Sequence, residues 1–223
     1  MAPWSAERRW GRGRDVGDYD GMTVLFDLDG VLVDSAESIR AGLTAWAVER
    51  GLDVDAVLAH HHGRTDADLV RLLAPHLDPA AEAPRIEAHE AAAGDGVRAV
   101  PGARELLVEL DGRGRSWAVV TSGGDRIANS RIEAAGLPLP RVLVTADDVD
   151  EGKPRPGPYL LGAERMGAAP ERCVVVEDAA SGVRAGLDAG MPVIAVASTT
   201  GPGDLAHATT VVGDLEAAAG LLL

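Results

Sequence analysis

The chain has 223 residues, of which 46% are hydrophobic, and a formal net charge of -14. That length suits one large domain or a domain carrying an insertion. The acidic balance argues against nucleic acid or an anionic membrane surface as partner, and no run approaches the ~18 apolar residues of a membrane span.

Residues 1–21 carry four arginines against one glutamate and three aspartates and have no apolar central segment, so they read as neither a secretory signal nor a basic arm. They are expected to be a mobile extension, with Met22 a natural start for the packed chain. From there the chain alternates. Apolar runs rich in β-branched residues and leucine occur at TVLFDLD (23–29), WAVVTS (117–122), RVLVTA (141–146), CVVVED (173–178), PVIAVA (192–197) and TTVVG (209–213). Helix-like stretches such as GDRIANSRIEAAG and AASGVRAGLDAG lie between the later runs. This alternation predicts an α/β fold with a parallel sheet covered on both faces. Cys173, inside the apolar CVVVED, reads as a small core residue. A single thiol forms no internal disulfide, which suits a reducing cytoplasm.

The gap between the first two runs is too long for one crossover. Residues 35–98 are rich in alanine, leucine and charge at helical spacing, and predict a helical cap inserted directly after the first strand. The expected organisation is therefore an extension (1–21), a Rossmann-like core (22–34 and 99–223) and a helical cap (35–98) able to cover the strand ends. Asp34 or Ser35 is expected to cap the first cap helix, with Glu37 the reciprocal partner of Asp34.

Parallel sheets bind ligands at the carboxyl ends of their strands. Polar residues collect at those ends here: Asp27 and Asp29, Thr121 and Ser122, Glu177 and Asp178. A calcium loop needs glycine at its sixth position and an acid at its twelfth; in DLDG the glycine is fourth, and Ser38 stands at the twelfth. A receiver-like phospho-acceptor domain would be shorter and lack the insertion. A purely structural Asp-Gly turn leaves Lys153 and the Glu177–Asp178 pair unexplained.

The set matches what Mg²⁺-dependent phosphoryl transfer requires. Mg²⁺ takes carboxylate and carbonyl oxygens, which Asp27 and Asp178 supply from neighbouring strand ends. A carboxylate can attack phosphorus and divide the reaction into two displacements. An acid two residues on can protonate the leaving oxygen and later accept a proton from water. The negative phosphoryl oxygens need a hydroxyl, backbone N–H groups and a cation, tasks that Thr121 and Lys153 fit.

Four segments in order, DLDGVLVDS, VVTSG, GKPRPGPY and VVEDAASGVRAG, resemble the four motifs of the haloacid dehalogenase superfamily, in its branch with a helical cap after the first motif. The resemblance covers residues 22 to about 213. It implies Asp27 as nucleophile and Asp29 as general acid/base and, through its backbone carbonyl, metal ligand. It further implies Thr121 as phosphoryl binder, Lys153 as the neutralising cation, Asp178 as Mg²⁺ ligand and Glu177 in or just outside the metal shell. Ser122, Gly123 and the cap residue Arg64 are the expected substrate-binding residues, and Ser181 is read equally as a first-turn helix residue or a functional one.

The cap segment HHGRTDADLVRLLAPHL is similar to those of sugar- and polyol-phosphate phosphatases, with the glycine after His61 and His62 displaced by one position. The resemblance implies hydrolysis of a small phosphate monoester by a cytoplasmic enzyme with no obligate protein partner. Phosphates of glycolate, nucleosides and C-ribosides also remain open as substrates. A hexose phosphomutase of the β-phosphoglucomutase type shares all four motifs; those mutases place a histidine where Ile39 stands here, which favours hydrolysis. Dehalogenation would dispense with Mg²⁺ and with the acid at Asp29.

Overall fold

The computed structural model describes residues 19–93 and 96–223. Strands are numbered in chain order: β1 (Thr23–Phe26), β2 (Val33–Asp34), β3 (Arg98–Ala99), β4 (Trp117–Val120), β5 (Leu143–Val144), β6 (Cys173–Glu177), β7 (Val193–Val196) and β8 (Thr210–Val212). Six of these form one sheet in the order β5-β4-β1-β6-β7-β8, and every neighbouring pair is parallel. All six were expected from the apolar runs. The ladder stops short of the polar ends, so Asp27, Thr121 and Asp178 follow their strands and project from the carboxyl edge.

Side-chain alternation distributes each strand between two cores. Val24 and Phe26 of β1 and Val174 and Val176 of β6 face one side. There they meet α5 (Ala103–Gly112), α6 (Asp125–Ala134) and α9 (Leu215–Leu222) through Leu107, Ile132 and Leu215. Leu25, Cys173 and Val175 face the other side, against Tyr159 of α7 (Gly157–Arg165) and Val183 of α8 (Ala180–Asp188). Full burial of side chains of this size contributes about 1.5–3 kcal/mol each. The Cys173 thiol is buried there as expected, and burial pushes its pKa up to about 11.

Between β2 and β3 lie α1 (Ala36–Arg50), α2 (Val54–His60), α3 (Asp66–Leu73) and α4 (Pro79–Ala92), which pack around a separate core of Leu43, Trp46, Val57, Leu69, Val70 and Ile86. Glu82 ties α4 to α1, accepting from Trp46 Nε1 at 2.8 Å and Arg50 Nε at 2.7 Å. None of the helices in the described residues is long and apolar enough to cross a membrane.

Two expectations need correction. The base of the insertion is a small antiparallel ribbon, β2 with β3, at the two boundaries of the predicted cap, where no strand was expected from the apolar runs. Asp34 belongs to that ribbon, opposite Arg98, whose Nη2 lies 2.6 Å from Asp34 Oδ2. It therefore does not cap α1. Ser35 occupies the N-cap position but makes no side-chain capping bond, because its hydroxyl donates to Asp29 Oδ1 at 2.5 Å. The second correction concerns the extension. Residues 1–18 lie outside the described residues, but Tyr19 is buried, its hydroxyl is 3.2 Å from Thr210 Oγ1, and its carbonyl accepts from Arg115 at 2.8 Å. Among the described residues the packed core thus includes Tyr19, before Met22.

Candidate active site

Adjacent parallel strands bring the motif residues together. β1 lies between β4 and β6, so the residues that follow these three strands share one edge of the sheet. Lys153, 1% exposed, fills the centre. Its Nζ donates to Asp27 Oδ1 at 2.6 Å, Glu177 Oε1 at 2.8 Å and the Val120 carbonyl at 3.0 Å, and it lies 4.9 Å from the centre of the Tyr159 ring. Burial opposes the ammonium charge, but the carboxylates of Asp27 and Glu177 outweigh it and hold the lysine pKa above its ordinary value.

Glu177 is fully buried and saturated. Oε1 accepts from Lys153 and, at 3.0 Å, from the Tyr159 hydroxyl; Oε2 accepts the backbone N–H groups of Asp178 (2.8 Å) and Ala179 (2.9 Å). Asp178 Oδ2 accepts from the Thr199 hydroxyl and lies 3.5 Å from His62 Nε2. Burial raises the pKa values of both Asp27 and Asp178. Lys153 opposes the rise at Asp27 while Glu177 and Asp178 add to it; at Asp178, His62 opposes it and Glu177 adds.

Asp27, Glu177 and Asp178 each offer a carboxylate oxygen, all within 4.8 Å of one another. Three buried carboxylates against one ammonium leave uncompensated negative charge, which proteins tolerate when it is paired or coordinates a metal. The cluster is therefore suited to a cation. Because Glu177 already has four donors, Asp27 and Asp178 are the two of these three carboxylates with an oxygen accepting no hydrogen bond among the described residues.

Asp29, the second aspartate of the opening motif, faces elsewhere. Its Oδ1 accepts from Ser35, and its Oδ2 accepts from Arg131 Nη1 at 2.9 Å. Arg131, on α6, donates through Nη2 to Glu90 on α4 at 2.5 Å. Thr121 is buried, with its hydroxyl oxygen accepting the Gly123 N–H at 3.1 Å. Ser122, Gly123 and Arg64 all line the same cavity as Asp27 and Asp178, whose volume is about 660 Å³.

The loop between α2 and α3 sits on the core. Ser122 Oγ donates to the Gly63 carbonyl and Ser181 Oγ to the His62 carbonyl, both at 3.2 Å. Gly63 has φ +68, and a Cβ there would lie 2.1 Å from Ser181 Oγ, so both the turn and the close approach require glycine. Further along the seam, Gly124 N–H donates to Glu87 Oε1 at 3.1 Å and Gly152 N–H to Asp68 Oδ2 at 3.3 Å. His62 faces Asp178 and Thr199, whereas burial, followed by the nearby His62 charge, lowers the His61 pKa to about 4.

Arg131, Glu90 and Thr199 are members of the site that no local motif marks. Arg131 and Glu90 sit in helical runs with ordinary charge spacing, where a charged residue reads as solvated. Their burial, 4% and 5% exposed, appears only in three dimensions.

A buried lysine–carboxylate centre at the carboxyl edge of a parallel sheet, facing a helical insertion, defines a class of hydrolase. The chain belongs to the haloacid dehalogenase-like hydrolase family, whose sequence profile matches residues 24–196. Among its relatives, hexitol phosphatase A of Escherichia coli is 48% identical over 175 residues, covering 77% of this chain and 81% of the relative. Glycerol-1-phosphate phosphohydrolase 2 of Saccharomyces cerevisiae is 32% identical over 78% of this chain and 74% of its own length. In structure, the chain resembles a hydrolase from Pseudomonas syringae, with a TM-score of 0.77, 28% identity, and 87% of this chain and 94% of the other covered.

Proposed function

We propose that the protein is a cytoplasmic Mg²⁺-dependent phosphatase that hydrolyses a small sugar or polyol phosphate monoester through an aspartyl-phosphate on Asp27. The observation that carries this reading is the Asp27–Lys153 pair at 2.6 Å, beside a second buried carboxylate, Asp178, at the neighbouring strand end. Lys153 fixes one oxygen of Asp27 and leaves the other without a donor among the described residues, and therefore available for attack.

In the first step a bond forms between that oxygen and phosphorus, the ester P–O bond breaks, and Asp29 gives a proton to the departing alkoxide. In the second, water forms the new bond to phosphorus, the Asp27–phosphorus bond breaks, and Asp29 takes the proton from water. For either transfer Asp29 must leave Arg131 or Ser35, which hold it in the described arrangement. Thr121 and the Ser122 N–H bind the phosphoryl oxygens, and Lys153 offsets their charge. Asp27, Asp178 and the Asp29 carbonyl would hold Mg²⁺, which when bound would supply charge neutralisation and orientation; Glu177, already saturated by four donors, would support these ligands from outside. Ile39 lines the cavity and has no proton to exchange with a sugar hydroxyl, which supports hydrolysis over phosphoryl return to a sugar.

The test is a phosphate-release screen over small phosphate monoesters, with and without Mg²⁺. Turnover is expected to vanish on chelation and to return with Mg²⁺. Glucose 1-phosphate supplied with its bisphosphate activator is expected to give phosphate or nothing. Net conversion to glucose 6-phosphate would establish the mutase reading instead.

A further inference from the structure

Besides the residues at the strand ends, the cavity carries ionisable groups that take no direct part in the phosphoryl chemistry. Asp66 at the start of α3, Glu90 on α4 and Arg131 on α6 all line it. Arg131 is buried, with Nη1 on Asp29, Nη2 on Glu90 and a buried Nε that has no partner among the described residues. The Asp66 carboxylate accepts no hydrogen bond among the described residues.

The insertion is built to hold Glu90 in place. Ser38 Oγ donates to the Glu90 carbonyl at 2.9 Å. Gly42 lets α1 close on the same residue: a Cβ at Gly42 would lie 2.6 Å from Glu90 N and 2.7 Å from its Cα, where no side chain fits. The position is costly for a charge. A polar cluster so placed, with Glu90 and Arg131 buried, Asp66 half-buried and the Arg131 Nε without a partner among the described residues, calls for a polar ligand.

Building on the phosphatase reading, we propose that Asp66, Glu90 and Arg131 form a subsite that binds hydroxyl groups of the leaving group, so that the enzyme selects neutral polyhydroxylated phosphates over esters whose far end is anionic. A hydroxyl both donates and accepts, which matches carboxylates set beside a guanidinium. A distal carboxylate or second phosphate would instead be desolvated against Asp66 and Glu90, while Arg131 is already shared between Asp29 and Glu90. Arg64 and the exposed Arg40 reach the same cavity, but carboxylates outnumber guanidiniums along its lining.

The test compares kcat/KM for three probes, a hexitol monophosphate, phosphoglycolate and p-nitrophenyl phosphate, in the wild type and in Asp66→Asn, Glu90→Gln and the double variant. The wild type should prefer the hexitol ester to phosphoglycolate. Each single variant should lower the ratio of hexitol ester to phosphoglycolate by about tenfold or more, the scale of a hydrogen bond to a charged group. The double variant should raise kcat/KM for phosphoglycolate outright, a gain that misfolding cannot produce. A wild-type preference for phosphoglycolate, or variants with unchanged ratios that still turn over the aryl ester, would overturn the subsite. No release from any of the three probes would overturn the phosphatase reading, and this inference with it.

Discussion

Asp27→Asn is expected to lower kcat by about 10³-fold or more for every substrate, aryl esters included, because the amide has neither the charge nor the nucleophilic oxygen that attack requires. The fold should survive the change. Lys153 keeps its bonds to Glu177 and Val120, and one of three crowded carboxylates becomes neutral. Thermal melting should therefore stay at or above that of the wild type while turnover disappears. Activity within about tenfold of wild type would remove Asp27 from the role of nucleophile.

Lys153→Met should damage both stability and activity. The methionine approximates the volume of the side chain but leaves Asp27 and Glu177 buried without their shared cation. Breaking a buried pair from one side typically costs about 3–5 kcal/mol. The urea midpoint should fall accordingly, and turnover should be lost with it. Lys153→Arg keeps the charge, but a planar guanidinium does not reproduce the compact ammonium held by Asp27, Glu177 and the Val120 carbonyl below the Tyr159 ring. It should recover part of the stability and little of the activity. A Lys153→Met protein as stable as wild type would show that the carboxylates do not depend on this lysine.

The sheet and the residues at its edge were legible because their signals are local. Runs such as CVVV and WAVV are apolar and rich in β-branched residues, and Asp27, Thr121 and Asp178 stand at the ends of such runs. Lys153 was legible through its motif; nothing local announces that its Nζ makes three bonds in the centre of the site. Two-residue strands carry no periodicity, so the β2–β3 ribbon, and with it the true partner of Asp34, could not be read from the sequence. Tyr19 was missed because one aromatic residue in a charged segment gives no pattern, although its contacts with Thr210 and Arg115 come from residues more than 90 positions away. Arg131 and Glu90 present the same difficulty inside the site: each occupies an ordinary place in a helix, and only the closeness of α4 to α6 makes them a buried pair.

The most direct test of the central claim is to mix the enzyme with a ³²P-labelled phosphate monoester, quench with acid during turnover, and map the label on the protein. Covalent phosphate should be found on Asp27, should chase into inorganic phosphate when unlabelled substrate is added, and should be absent from Asp27→Asn. Turnover with no labelled protein at any quench time, or label on a different residue, would contradict Asp27 as the atom donor to phosphorus and the two-step hydrolysis built upon it.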